Sequence, residues 1–172
     1  MSALRQNKGR TDPVLSIEKA KAHLKKFGFD TRVLEFDVSS ATVELAALAV
    51  GTEPARICKT LSFKDREGGC LLVLAAGDAR IDNRKFKDTF GVKAKMLTAE
   101  EVLALVGHPV GGVCPFGIGD GVSVHMDESL RRFDIVYPAV GTANSAVPLS
   151  CEELLLCSGA KGWVDVCKLP EE

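Results

Sequence analysis

Ile57-Cys58-Lys59-Thr60-Leu61-Ser62-Phe63, the loop Asp65-Arg66-Glu67-Gly68-Gly69, and Cys70-Leu71-Leu72-Val73-Leu74-Ala75-Ala76 form the stretch that decides the fold. Two apolar runs separated by a short acidic and glycine-rich loop read as a β-hairpin. The second run is apolar at nearly every position, as expected of a strand buried on both faces near the centre of a sheet. In the first run, alternation puts Ile57, Lys59, Leu61 and Phe63 on one face and Cys58, Thr60 and Ser62 on the other. Lys59 therefore points to an apolar side, where an unpaired ammonium is costly. It must meet an anion, line a polar pocket, or snorkel out past a strand end.

Working outward, residues 13–27 read as a helix, with Asp12 as its cap and Pro13 in its first turn. Ile17, Ala20, Leu24 and Phe27 recur at helical spacing before Gly28. A strand is expected over residues 31–36 and an apolar helix over 41–50. Downstream, 83–90 is a helix with Phe86 and Phe90 one turn apart, and 93–97 is a short strand. Thr98 to Glu101 and Ser150 to Glu153 are capping boxes that open two further helices. Strands are expected over 122–126, 134–140 and 162–166, with a short helical turn at Asp127 to Leu130. This order predicts a single α+β domain, a mixed central sheet surrounded by short helices. Residues 1–12 read as a flexible N-terminal leader and 13–172 as the domain.

Composition excludes some functions. The chain has 172 residues, 46% hydrophobic and 26% charged, an ordinary globular balance for one domain. No apolar run approaches the ~20 residues that cross a bilayer, and no secretory signal is visible, so the expected location is cytoplasmic. A net charge of −1 argues against a dedicated nucleic-acid binder but not against a protein that touches only the end of one. The six cysteines show no metal-binding spacing and read as buried thiols. The three histidines are too scattered to suggest zinc, and His23, among lysines on its helix, reads as solvated. Lys19, Lys21, Lys25 and Lys26 give the first helix a basic face. Arg80, Arg84, Lys85, Lys87, Lys93 and Lys95 form a second basic stretch, the better candidate for contact with a nucleic-acid backbone.

Besides Lys59, two segments can carry chemistry. Gly111-Gly112-Val113-Cys114-Pro115-Phe116-Gly117 is a stiffened glycine loop able to aim backbone N–H groups at an oxyanion or phosphate, although such loops also serve as plain turns. Bulk at Gly112 is expected to obstruct a ligand while sparing the fold. Within the loop, Cys114 could act as a nucleophile if His108 or His125 served as its base. Asp127, at a strand-to-helix junction, either caps the following turn or contributes to a ligand site at the strand end.

Taken in order, Lys59-Thr60-Leu61, Gly77-Asp78-Ala79-Arg80-Ile81-Asp82, Lys85-Phe86-Lys87, the loop from Gly111 to Gly117, and Asp127 to Leu130 resemble the YbaK/ProX-type aminoacyl-tRNA editing domains. These are related to the insertion domain of prolyl-tRNA synthetase, and the resemblance spans residues 15–166. It implies a trans-acting hydrolase that removes a wrong amino acid from tRNA, typically tRNA for proline, without metal or cofactor. It also implies tRNA as partner through its 3′ aminoacyl end, with prolyl-tRNA synthetase as a second partner. Lys59, Gly111 and Gly112 would be catalytic, Lys59 holding the terminal adenosine or phosphate region and the loop backbone the aminoacyl carbonyl. Thr60, Val113, Cys114, Pro115, Asp127, Gly141 and Asn144 would contact substrate. One departure lies in Ala139-Val140-Gly141-Thr142-Ala143-Asn144-Ser145, where Asn144 stands in place of a second glycine. Asparagine can adopt positive φ, which would let the turn survive. Two alternatives remain: a non-catalytic module on the same fold that binds aminoacyl-tRNA or another ligand, and a thiol-dependent hydrolase acting through Cys114.

Overall fold

A computed structural model of the chain describes residues 13–40 and 42–170. The leader expected over 1–12, with its Asp12 cap, lies outside the described residues. In chain order the elements are α1 (Pro13–Lys25), β1 (Leu34–Glu35), α2 (Val43–Val50), β2 (Ile57–Lys64), β3 (Cys70–Ala76), β4 (Arg80–Ile81), α3 (Asn83–Phe90) and α4 (Ala99–Leu105). There follow β5 (Val122–Asp127), β6 (Ile135–Pro138), β7 (Ser145–Ala146), β8 (Leu149–Ser150), α5 (Cys151–Ser158), β9 (Trp163–Val164) and β10 (Cys167–Lys168). Among the described residues, no helix is long and apolar enough to cross a membrane.

The expected α+β architecture is present: six strands form one mixed sheet in the order β8-β6-β2-β3-β5-β9. The β2–β3 hairpin is antiparallel, and its flanks β6 and β5 run parallel to β2 and β3. Every residue of β3 is buried, as its unbroken apolar run requires of a central strand. The register sets Lys59 opposite Ala75, Leu61 opposite Val73 and Phe63 opposite Leu71. α3 covers this face through an aromatic chain, with ring centroids 4.8 Å apart for Phe63–Phe86, 4.7 Å for Phe86–Phe90 and 5.0 Å for Phe90–His125. Both capping boxes form, at Thr98 with Glu101 and at Ser150 with Glu153.

Several expectations are corrected. Residues 93–97 form a single bridge, Met96 to Phe63, rather than a strand. The strand expected at 31–36 shortens to β1 after one 3-10 turn at Asp30–Arg32. The strand expected at 162–166 breaks up because the Val166 N–H turns aside to the Asp127 carboxylate at 2.9 Å. The chain then pairs as β10 with β4, outside the main sheet. His23 is not solvated: its ring packs on Phe27 and Phe116, and its Nε2 lies 2.6 Å from the Cys157 carbonyl, tying α1 to α5.

Two clamps fix the loops around Lys59. The first holds the turn Gly77-Asp78-Ala79 after β3. A Cβ on Gly77 would lie 2.0 Å from the Pro54 carbonyl oxygen, so only glycine allows this approach. Arg132 then donates to both Asp78 oxygens, at 3.0 and 2.5 Å, a bidentate pair of the stronger kind.

The second clamp joins the loop 107–117 to the turn at 141–145. Buried His108 reaches the Phe116 carbonyl through Nε2 at 2.6 Å and Ser16 Oγ through Nδ1 at 2.5 Å. The Ser16 hydroxyl donates to the Gly141 carbonyl at 2.7 Å. Gly141 is left-handed at φ 85°, and no described residue other than glycine has positive φ, so Asn144 does not take that role. Ser145 holds the turn instead: its Oγ accepts from the Val140 N–H at 3.0 Å and donates to the Thr142 carbonyl at 3.1 Å. Gly112 packs against this turn, and a Cβ there would meet the Gly141 oxygen at 2.4 Å and the Thr142 nitrogen at 2.6 Å. Bulk at Gly112 therefore does not spare the fold, contrary to the expectation from sequence, because it would wedge two loops apart.

Two stability outcomes follow from these clamps. Gly112→Ala should destabilise by about 1–3 kcal/mol, the usual range for overpacking, lowering the melting temperature by ~2–4 °C for each kcal/mol. Gly121→Ala, where a Cβ meets nothing within 4 Å, should melt like the wild type. Asp78→Asn should cost about 0.5–1 kcal/mol, as for a well-formed, partly exposed pair. Arg132 holds the Asp78 carboxyl below the ordinary aspartate value, so the pair stabilises above pH ~4 and loses its effect as pH falls through the depressed value. The melting difference between wild type and Asp78→Asn should accordingly close on acidification. A constant difference across pH would dissociate the carboxylate from the clamp.

Candidate functional site

β2 changes neighbours partway along its length. On one edge β3 pairs with it from Cys58 to Lys64. On the other, β6 pairs only with Ile57 and Cys58, and the chain at 95–97 takes over at Ser62 to Lys64 through Leu97 N–H to Ser62 O (3.2 Å) and Lys64 N–H to Lys95 O (2.9 Å). Between them, residues 59–61 have no strand partner on that edge among the described residues. A cleft of ≈ 320 Å³ opens at this gap. Its walls are mostly small and apolar, with Val43 and Ala46 of α2, Ile57, Val102, Val113 and Ala139 among them. Among the described residues, Lys59 is the one charged side chain that lines it.

Lys59 is half-buried, and its ammonium donates to the carbonyls of Ala79 and, at 3.4 Å, Gly77. Burial pushes its pKa below the ordinary lysine value. An ammonium has three N–H donors, so one remains for a ligand. The small Ala75 across the strand pair leaves room for the stem. Thr60 faces the other way, and its Oγ1 is buried with no hydrogen-bond partner among the described residues. Such a group costs ~1–3 kcal/mol unless something satisfies it. Gly111 and Val113 also line the cleft, and neither backbone N–H has a partner among the described residues. Gly111 is left-handed at φ 93°.

The structure thus brings Lys59, Thr60, Gly111 and Val113 around one cleft. Gly112 lies just behind, packed on the Gly141 peptide, and Gly141 is itself buried beside Ser16. Cys114 and Pro115 are buried in the loop and do not line the cleft. Burial pushes the Cys114 thiol up to about 12, leaving almost no thiolate at neutral pH. His108 is braced between Phe116 and Ser16, and His125 packs on Phe90. Asp127 caps the following turn through Ser129 N–H at 2.9 Å and lines a separate groove with Lys85 and Arg132. Asn144 is exposed, its amide donating to the Phe36 carbonyl at 2.9 Å. Sequence reasoning did not mark Val43, Ala46, Tyr137, Ala139 or Ser145 as cleft residues. They come from α2, from β6 and the residue after it, and from β7, and no local motif signals their convergence.

Comparison with known proteins places this architecture. A family model described as an aminoacyl-tRNA editing domain matches residues 37–156. The uncharacterized protein YwhH of Bacillus subtilis (strain 168) is 47% identical over 154 residues, covering 90% of this chain and 98% of its own. A proline–tRNA ligase of Pelobacter propionicus is 30% identical over 122 residues, which are 67% of this chain but only 21% of the ligase. Among solved structures, one described as a candidate trans-editing enzyme for prolyl tRNA synthetase superposes with a TM-score of 0.81 at 32% identity, covering 92% of this chain and 99% of that one. Given the match over residues 37–156, this chain belongs to the aminoacyl-tRNA editing domain family.

Proposed function

We propose that the chain hydrolyses the ester that joins a wrongly attached amino acid to the 3′ end of tRNA. The observation that carries this reading is the set of unmet polar groups around one small apolar cleft: the Thr60 hydroxyl, the Gly111 and Val113 amides and the third N–H of Lys59. In this reading the Gly111 and Val113 amides meet the ester carbonyl, while Lys59 keeps its free N–H for the ribose–phosphate end. When water attacks, the carbonyl oxygen becomes an oxyanion, which preorganised amides stabilise more strongly than the ground state. The bond to the ribose oxygen then breaks, releasing free amino acid and uncharged tRNA. Aminoacyl esters are already reactive, so positioning and charge stabilisation suffice without a protein nucleophile.

Lys59 lines both this cleft and a larger groove of ≈ 740 Å³. A substrate with its amino acid in the cleft passes over the ammonium, which holds the ribose–phosphate end, and its phosphate backbone continues into the groove. The cleft's volume and its small apolar walls suit a small uncharged amino-acid side chain. The similarity to a proline–tRNA ligase and to a solved structure described as a candidate trans-editing enzyme for prolyl tRNA synthetase supports tRNA for proline as carrier and prolyl-tRNA synthetase as partner.

A deacylation screen over alanyl-, cysteinyl-, seryl- and threonyl-tRNA should find turnover of at least one. Tight binding with no turnover of any would instead establish a binding module. On the preferred substrate, Lys59→Ala should lose about 2–5 kcal/mol of transition-state stabilisation in kcat/KM while remaining folded by circular dichroism, as for removal of a buried charged contact. Near wild-type turnover would sink the site. Cys114→Ala should retain turnover. Complete loss in that variant, together with inactivation of the wild type by a thiol reagent, would point to covalent catalysis.

A further inference from the structure

Arg80 of β4 and Lys168 of β10 stand directly opposite one another in the antiparallel pair outside the main sheet. Like charges in that position repel and destabilise a strand pair. Both side chains are exposed, and neither makes an ion pair or side-chain hydrogen bond with a described residue. The acids nearby are hydrogen-bonded elsewhere, and Asp82 attracts Lys168 through space without an ion pair. Asp78 is held by Arg132, and Asp82 accepts the N–H groups of Arg84 and Lys85 at the start of α3. Lys85, also in this basic stretch, is tied to Asp165 and to the Cys167 carbonyl.

The two opposed cations line the ≈ 740 Å³ groove that Lys59 shares with the ester cleft. Among the described residues, Glu44 and Asp78 are the acids on its walls, and the latter is already neutralised, so cations dominate there. Among the described residues, no aromatic side chain lines the groove. It therefore offers charge to a backbone but no platform on which a base could stack.

We infer that Arg80 and Lys168 form a phosphate-binding fork that holds the backbone of the single-stranded 3′ end of tRNA as it leads to Lys59. This rests on the ester-hydrolase reading for the strand's destination. A phosphodiester between the two cations relieves their repulsion, and a contact made only to backbone is indifferent to base sequence. The fork thus contributes affinity common to all tRNAs, leaving discrimination to the cleft.

The test uses the full chain and the double variant Arg80→Gln/Lys168→Gln with two substrates bearing the same amino acid. One is the preferred mischarged tRNA, and the other is its aminoacyl-adenosine ester, which has no phosphate. On tRNA, KM should rise on the order of tenfold with kcat little changed. The slope of log KM against log salt should fall by about 1.4, from ~0.7 per contact on a single strand. On the adenosine ester both constants should stay at wild-type values, and the melting temperature should hold or rise as repulsion is removed. Unchanged KM on tRNA would overturn the fork, and so would an equal loss on both substrates, which would indicate damage to the cleft. Should the wild type hydrolyse neither substrate, the hydrolase reading fails, yet the fork is still tested by binding of a labelled RNA single strand ending in CCA. Weaker, less salt-dependent binding by the variant supports it, and equal binding overturns it. Competition by inorganic phosphate as effective as by that strand would show a simple anion site and overturn the strand assignment.

Discussion

Half-burying an ammonium against a sheet face strips it of water, and the protein must supply oxygen atoms in return. Lys59 finds them in the carbonyls of Gly77 and Ala79, and much of the surrounding structure keeps those two oxygens in place. The hairpin register sets Ala75 rather than a larger residue across from the lysine. Gly77 lets the turn press against Pro54, and the Arg132–Asp78 pair closes it from outside. The same turn leads into β4 and so fixes where Arg80 stands relative to Lys59. One desolvated charge thereby links the sheet, the 3-10 turn at Pro54–Arg56 and the small β4–β10 pair.

Across the cleft the loop from Gly107 to Gly117 is rigid for a different reason. Its glycines do not leave it slack. They allow its backbone to pack on other backbone, at Gly141 for Gly112 and at Lys19 for Gly117. His108 and Ser16 join the loop to α1 and the 141–145 turn through buried hydrogen bonds. Donors held this way need no reorganisation when charge develops nearby, which is the condition for electrostatic stabilisation to be effective.

The hairpin, both capping boxes, the α3 aromatic pair and the inward aim of Lys59 were legible in the sequence because each depends on spacing within a few residues. The meeting of Lys59, Thr60, Gly111 and Val113 was legible only by resemblance, since nothing local relates residue 60 to residue 111. Other features depend on contacts across the chain and leave no periodic trace. The opposition of Arg80 to Lys168 pairs residues far apart in sequence, and His23 finds its partners on α5 and in the loop at Phe116. Residues 93–97 looked like a strand because they are alternating and short, yet they meet β2 in a single bridge, Met96 to Phe63, closed by hydrogen bonds of the flanking Lys95 and Leu97. Ser145, not backbone handedness at Asn144, ties the 141–145 turn together.

The interruption along the edge of β2 has a bearing on how this molecule behaves in a crowded solution. Unpaired strand edges recruit other chains and seed aggregation, so proteins shorten them, cover them or charge them. Here all three protections act at one place. The open segment is only residues 59–61, bounded by β6 on one side and the chain at 95–97 on the other. It lies at the bottom of a cleft walled by Met96 and Tyr137 and carries a lysine. A neighbouring strand can reach too few backbone groups to add itself to the sheet. The protein thus keeps exposed peptide groups beside its cleft without offering them as a template for self-association.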